Sequence, residues 1–121
     1  MIILYYEPGN SSCKKAIDWF QNKNISLLKK KIDSLSREDL MYALKISDDG
    51  FASILKRNSK SSIKSKKIIE DIEEMKFYDS INLILKHTEL IRTPFIIGEN
   101  KIMTGFNSEE IRRFIPRVYR H

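Results

Sequence analysis

Apolar residues along this chain change from strand-like to helix-like spacing and back again. Residues 2–6 are apolar and β-prone and are followed by Pro8 and Gly9, which predicts a first strand. Residues 10–12 are all good helix N-cap residues. The apolar positions that follow recur at i, i+3, i+4 and i+7, which is the spacing of one helix face, at Cys13, Ala16, Ile17 and Phe20.

The middle of the chain predicts a second strand and then a run of helices. Residues 25–32 form a lysine-decorated apolar segment that is typical of a strand. Ser36 begins the next helix, with Asp39 in the position of a capping-box acid. We expect this helix to be closed at Asp48–Gly50, because glycine adopts the left-handed conformation that ends many helices. Residues 51–74 are polar and favour helix.

The last part of the chain predicts one more helix and then returns to strand spacing. The helix is amphipathic and is predicted at residues 77–85. Two short β-prone runs, Phe95–Ile97 and Lys101–Met103, flank a glycine-containing turn and predict a β-hairpin. Asn107 and Glu110 stand in capping-box positions ahead of a final helix.

The resulting order is β-α-β, several helices, then β-β-α, which resembles the thioredoxin fold. We predict one α/β domain over residues 1–121, with a thioredoxin-like core at about 1–35 and 88–116 and an all-helical insertion at about 36–87. In that fold a cis proline precedes the third strand and faces the N-terminus of the first helix. Pro94 occupies this position, and proline is the residue for which a cis bond is cheap. The alternative is an ordinary proline that begins a strand.

Charge is distributed unevenly in this basic chain. The net charge is +6 and the calculated isoelectric point is about 9.4. Residues 56–67 and the last ten residues carry basic charges without acids. A basic patch of this kind attracts nucleic acid or an acidic protein surface, whereas the alternative is a solvated helix face and a basic tail. The candidate patch residues are Lys56, Arg57, Lys60, Arg112, Arg113 and Arg117.

Cys13 is the only cysteine, and the two histidines are far apart in sequence. We therefore predict no disulfide, no metal site and no cofactor. A cysteine near a helix N-terminus can be held as a reactive thiolate, but its place on the apolar face also fits a buried, inert thiol. Asn10 stands three residues earlier, where a dithiol centre would need its second sulfur, so the chain cannot run a two-cysteine cycle alone.

The longest apolar runs are far shorter than the roughly 20 residues that a membrane span needs. The first residues lack the basic region of a signal peptide. A single free cysteine favours a reducing compartment, so we expect a cytoplasmic protein without a membrane partner. No long apolar surface stripe is evident, and we expect a monomer.

Several segments together resemble the Spx and arsenate reductase family over nearly the whole chain. The first is the strand–loop–helix segment that contains Ser12–Ala16, and the second is the acidic turn Ser47–Gly50. The third is Ile91–Ile97, with its arginine and proline. The most specific is the C-terminal stretch Gly105–Arg117, which is similar to the Spx signature.

The resemblance to the Spx branch implies a stress-response transcription regulator and not an enzyme. Spx proteins bind the C-terminal domain of the RNA polymerase alpha subunit, and the matching surface here would be Ser47, Asp48, Asp49 and Gly50. Promoter DNA within the polymerase complex would be a further contact of the basic residues. Arg92 and Pro94 would lie near the redox centre. Since Asn10 replaces the first cysteine of the dithiol switch, the chain is either a redox-independent member or one that senses through Cys13 alone.

Two other functions remain open from the sequence. A thiol-dependent arsenate reductase or glutaredoxin-like oxidoreductase would use Cys13 and Arg92, although the reductase branch carries its nucleophile at the position of Asn10. An adaptor that competes with an active paralogue for the polymerase would keep the binding surface and lack the switch.

Overall fold

The computed structural model describes residues 1–56 and 63–116. The strands are β1 (Ile3–Tyr6), β2 (Leu28–Lys31), β3 (Phe95–Gly98) and β4 (Lys101–Thr104). The α-helices are α1 (Ser11–Asn22), α2 (Arg37–Ile46), α3 (Phe51–Ile54), α4 (Ile63–Glu74) and α5 (Phe77–Lys86). Within these ranges, 3₁₀ turns lie at Ile32–Ser34, Thr88–Leu90 and Glu110–Phe114.

The four strands form one mixed sheet in the order β2–β1–β3–β4. β1 is parallel to β2, with α1 as the crossover, and antiparallel to β3. β3 and β4 form the hairpin, whose turn places Asn100 at φ 56°. The predicted α/β class and the β-α-β and β-β order are therefore confirmed.

The two faces of the sheet carry separate apolar clusters, because successive side chains of a strand point to opposite faces. Leu4 and Ile96 face α1 and the C-terminal 3₁₀ turn, where Phe20 and Phe114 meet edge to face with ring centroids 5.7 Å apart. Tyr5 and the other face of β3 pack against α2, α3, α4 and α5. The sheet is thus the middle of three layers, and it positions the loops at its ends.

Two elements differ from their predicted form. The second strand pairs only over β2 and not over residues 25–32, because its parallel partner β1 is itself four residues long. The final helix is a 3₁₀ turn at Glu110–Phe114, in which Ile111 and Phe114 are both buried. A helix with three residues per turn places these two side chains on the same face.

Gly50 does not close α2 as predicted. The helix ends at Ile46, and Ser47 is its extended C-cap residue. Gly50 lies three residues further on, where it immediately precedes α3 with φ 57° and ψ −128°. The glycine therefore shapes the connection between two helices.

No helix in the described part of the chain is both long and apolar enough to cross a membrane.

Candidate functional site

The first candidate site surrounds Cys13 at the N-terminus of α1. Asn10 is the N-cap residue, as predicted, and its side-chain oxygen accepts a hydrogen bond of 2.9 Å from the Cys13 amide. Cys13 is 2% exposed. The Thr93–Pro94 peptide bond is cis, which confirms the prediction for this position. The cysteine therefore lies on the buried side of its helix, in the first turn.

Burial raises the pKa of the Cys13 thiol above its ordinary value. Hydrogen-bonding groups of the Glu7 backbone and the Thr93 side chain lower this pKa, because they would favour the thiolate. The nearby Glu7 carboxylate adds to the rise in pKa, since a negative neighbour disfavours a second negative charge. The arrangement favours a neutral, buried thiol over the activated thiolate that a helix N-terminus alone would favour.

Glu7 joins three segments at this site. Its carboxylate oxygen Oε1 accepts a hydrogen bond of 3.0 Å from the Thr93 hydroxyl and lies 3.2 Å from the Lys56 ammonium nitrogen. The Lys56 amide donates to the Leu90 carbonyl at 2.8 Å, so Lys56 is also held by its backbone. Lys56, which was expected in a basic patch, is thus engaged in an ion pair beside the cysteine.

The second candidate site is the turn Ser47–Gly50 at the end of α2. The Ser47 hydroxyl donates to the Leu44 carbonyl at 3.0 Å, and the Asp49 amide donates to the Ser53 hydroxyl at 3.2 Å. Asp48 and Asp49 are exposed. An ideal Cβ built on Gly50 meets no atom of the described residues within 4 Å. The turn is organised by its own hydrogen bonds, and among residues 1–56 and 63–116 nothing packs on its glycine.

A polar groove of about 710 Å³ runs from this turn to the β3–β4 hairpin and the C-terminal 3₁₀ turn. Its lining includes Asp48, Asp49, Arg92, Lys101, Glu110 and Arg113. A Cβ on Gly105 would lie 3.4 Å from a guanidinium nitrogen of Arg92. The structure therefore brings Arg92 together with the predicted polymerase-binding turn.

The remaining basic residues are held in different ways. Arg113 donates to the carbonyl oxygens of Ile102 at 2.9 Å and Glu110 at 3.3 Å, whereas Arg112 lies 3.9 Å from the Glu109 carboxylate. Three members of the proposed patch lie outside the described residues: Arg57, Lys60 and Arg117. A single basic patch that spans both segments stays a prediction.

Glu7 and Thr93 were missed as site residues by sequence reasoning. They are 86 positions apart, and no period or motif relates them. The one signal that could have found them is the fold itself, which brings the β1–α1 loop against the segment before β3.

Within residues 1–56 and 63–116, no three His, Cys, Asp or Glu side chains converge as a metal-ligand set.

A β-α-β unit, an antiparallel β-β hairpin and a cis proline beside the cysteine-bearing helix define a thioredoxin-like protein. The ArsC family model matches residues 5–114, and the chain belongs to the ArsC family. The resemblance to the Spx branch is confirmed by relatives named global transcriptional regulator Spx, two of which are from Bacillus subtilis (strain 168) and Enterococcus faecalis. Each is 35% identical over 99% of this chain, which covers 91% and 90% of the two relatives, respectively.

The fold is shared with solved structures of the same family. One is the crystal structure of a putative ArsC family related protein from Bacteroides fragilis, with a TM-score of 0.76. The match covers 93% of this chain and 95% of that one at 23% identity. At this identity the likeness shows the thioredoxin-like fold, and function must be argued from the site.

Proposed function

We propose that this protein is a transcription regulator that binds the C-terminal domain of the RNA polymerase alpha subunit through the turn Ser47–Gly50. The relatives that are 34–35% identical over nearly the whole chain carry the name global transcriptional regulator Spx. The proposed role is in stress-response transcription in the cytoplasm, without catalysis.

The observation that carries the proposal is the geometry of Gly50. Its φ of 57° and ψ of −128° lie in a region that L-residues with a side chain rarely adopt, so the turn requires glycine. Packing among the described residues does not explain the missing side chain, since none of their atoms lies within 4 Å of the Cβ position. Because Gly50 has no side chain, a partner can approach the backbone closely between exposed Asp48 and α3.

The groove beside the turn extends this surface toward Arg92. Its charged lining is mixed, with the acidic residues Asp48, Asp49 and Glu110 and the basic residues Arg92, Lys101 and Arg113. A partner domain that carries both basic and acidic groups would match this lining, and promoter DNA held by the polymerase would be a secondary contact of the basic residues.

The proposed regulator works without a dithiol switch. Asn10 stands where a dithiol would need its first cysteine, and its side-chain oxygen caps α1. Cys13 is buried, and the pKa of its thiol is raised. Oxidation with diamide should therefore leave polymerase binding unchanged and form no intramolecular disulfide.

The direct test is calorimetric titration of the chain against the isolated alpha C-terminal domain. A dissociation constant of about 10 μM or tighter supports the proposal, and no heat of binding at several tens of micromolar overturns it. A gel shift with free promoter DNA at physiological salt gives an independent check. Tight, sequence-selective binding by the free protein would point to a DNA-binding regulator instead.

The alternative function is a thiol-dependent reductase, which the ArsC family match favours. Arsenate turnover with glutathione and glutaredoxin tests it. The reductase requires turnover that is lost in Cys13→Ser, because Cys13 is the only thiol in the chain. Its burial and raised pKa argue against this activity.

A further inference from the structure

A partly exposed carboxylate, that of Glu7, lies close to the buried Cys13 thiol. Glu7 follows β1 directly and contacts two different segments through one oxygen atom, Oε1. Thr93 approaches it from the segment before β3, and Lys56 from the segment after α3. Neither contact is part of the strand pairing in the sheet. Both contacts join loop segments at the same end of the sheet.

The backbone already brings two of the three segments together. Leu55 and Ile91 form an isolated antiparallel bridge. The Arg92 amide donates to the Ile54 carbonyl, and the Lys56 amide donates to the Leu90 carbonyl, both at 2.8 Å. Lys56 and Thr93 therefore flank a short ladder, and Glu7 connects this ladder to the β1–α1 loop.

Two of these residues, Glu7 and Thr93, bear directly on the cysteine, and Lys56 is joined to them through Glu7. The Glu7 backbone and the Thr93 side chain lower the pKa of the Cys13 thiol, and the Glu7 carboxylate raises it, so both residues lie close to the sulfur. The Thr93 hydroxyl donates its proton to Glu7 Oε1. The cysteine is nearly inaccessible, whereas the Glu7 and Lys56 side chains are 29% and 33% exposed. Solvent thus reaches the ion pair but not the thiol.

We propose that Glu7 is a latch: its carboxylate holds Lys56 and Thr93 together at the mouth of the site and so closes the Cys13 thiol to oxidants and electrophiles. Reagents then reach the thiol only when the Glu7 contacts open. The latch accounts for a cysteine that sits at a helix N-terminus yet stays protected, and it does not depend on polymerase binding.

The test is the rate at which N-ethylmaleimide, a neutral reagent, alkylates Cys13. In this reaction the thiolate adds to the maleimide double bond, and the thiol proton ends on the adjacent ring carbon. Because Cys13 is the only cysteine, intact mass reports the reaction without ambiguity. The variants are Glu7→Gln and Lys56→Met, each of which breaks the ion pair from one side. Glu109→Gln removes a carboxylate from an exposed ion pair on the C-terminal 3₁₀ turn and is the matched control.

The latch predicts an increase of about five- to tenfold in the alkylation rate for both Glu7→Gln and Lys56→Met, with Glu109→Gln unchanged. Lys56→Met separates the latch from an effect of charge. It leaves the Glu7 carboxylate beside the thiol without its positive partner, and this negative charge alone would disfavour the thiolate and slow alkylation. An increase in Glu7→Gln only would mean that Glu7 acts by charge, and the latch would be wrong. Rates within twofold of the wild type in both variants would also overturn it. Thermal denaturation of each variant confirms that the reaction is measured on folded protein.

Discussion

The hydroxyl of Tyr5 in β1 donates a hydrogen bond to the carboxylate of Asp39 in the first turn of α2. Tyr5 is fully buried beneath the helical layer. Asp39 is itself held in place, since its amide donates to the hydroxyl of the N-cap residue Ser36 at 3.1 Å. The central strand and the start of α2 are thus joined by one polar contact within an apolar cluster.

Tyr5→Phe should lower the free energy of unfolding by about 1–3 kcal/mol, because a hydrogen bond to a charged group is lost from a buried site. Urea denaturation measures the change. Ser34→Ala, which removes an exposed hydroxyl bonded to the Lys31 carbonyl, is a surface control and should have a smaller effect. Equal stability of Tyr5→Phe and wild type would show that the contact contributes little.

The same contact predicts a pH dependence. Burial, and then the hydrogen bond and charge of Asp39, raise the pKa of Tyr5 from 10.0 to about 12. The unfolded chain therefore loses this proton at lower pH than the folded protein. The contribution of Tyr5 to stability is complete below about pH 10 and falls by about 2–3 kcal/mol as the pH rises to about 12. The difference between wild type and Tyr5→Phe should narrow over this interval, and a constant difference would contradict the account.

Two neighbouring arginines should behave differently. Arg113→Ala should cost about 1–2 kcal/mol, since the guanidinium bonds to two backbone carbonyls and joins the C-terminal 3₁₀ turn to β4. Arg112→Ala should change stability by less than about 0.5 kcal/mol, because its exposed ion pair is long. Thermal denaturation of the pair measures this, and similar losses in both variants would remove the structural role assigned to Arg113.

Asn10→Cys should restore a dithiol at the start of α1. The new thiol lies three residues before Cys13, so oxidation with diamide should form an intramolecular disulfide, with a mass decrease of about 2 Da in place of added modifier. The reduced variant should lose about 0.5–2 kcal/mol, because Asn10 no longer caps the helix. Asn10→Ala should show the same loss of stability without a disulfide. If diamide forms no disulfide in Asn10→Cys, the buried Cys13 side chain cannot turn toward position 10, and the prediction is wrong.

Local patterns predicted the fold where the deciding interactions are close in sequence. The cap at Asn10, the cap at Ser36 and the β3–β4 hairpin each depend on residues within a few positions of one another, and all are confirmed. The length of β2 could not be predicted, because it is limited by the length of its partner β1. The same applies to the C-terminal 3₁₀ turn, since its form depends on packing against α1.

The site was only partly predictable for the same reason. Cys13, Asn10 and Pro94 could be placed from their own segments, but the contacts of Glu7 with Lys56 and Thr93 exist only after three distant segments meet. Gly50 was expected to close a helix, and its actual conformation instead connects α2 to α3. A glycine in a sequence marks a special backbone conformation without saying which one is needed.

We propose that the polymerase alpha C-terminal domain docks on the backbone surface at Gly50. Because φ is 57° at this position, any side chain strains the turn by about 1–3 kcal/mol. A loss of binding in a bulky variant could therefore come from backbone strain or from a steric clash with the partner. Gly50→Ala carries this backbone strain with the smallest side chain, and it is the matched control for Gly50→Arg.

The most direct measurement is calorimetric titration of wild type, Gly50→Ala and Gly50→Arg against the alpha C-terminal domain. The account predicts binding at about 10 μM or tighter for wild type, at most about a tenfold loss for Gly50→Ala, and a further loss of at least about tenfold for Gly50→Arg. Equal affinities of Gly50→Ala and Gly50→Arg, or no binding by the wild type at several tens of micromolar, would contradict it.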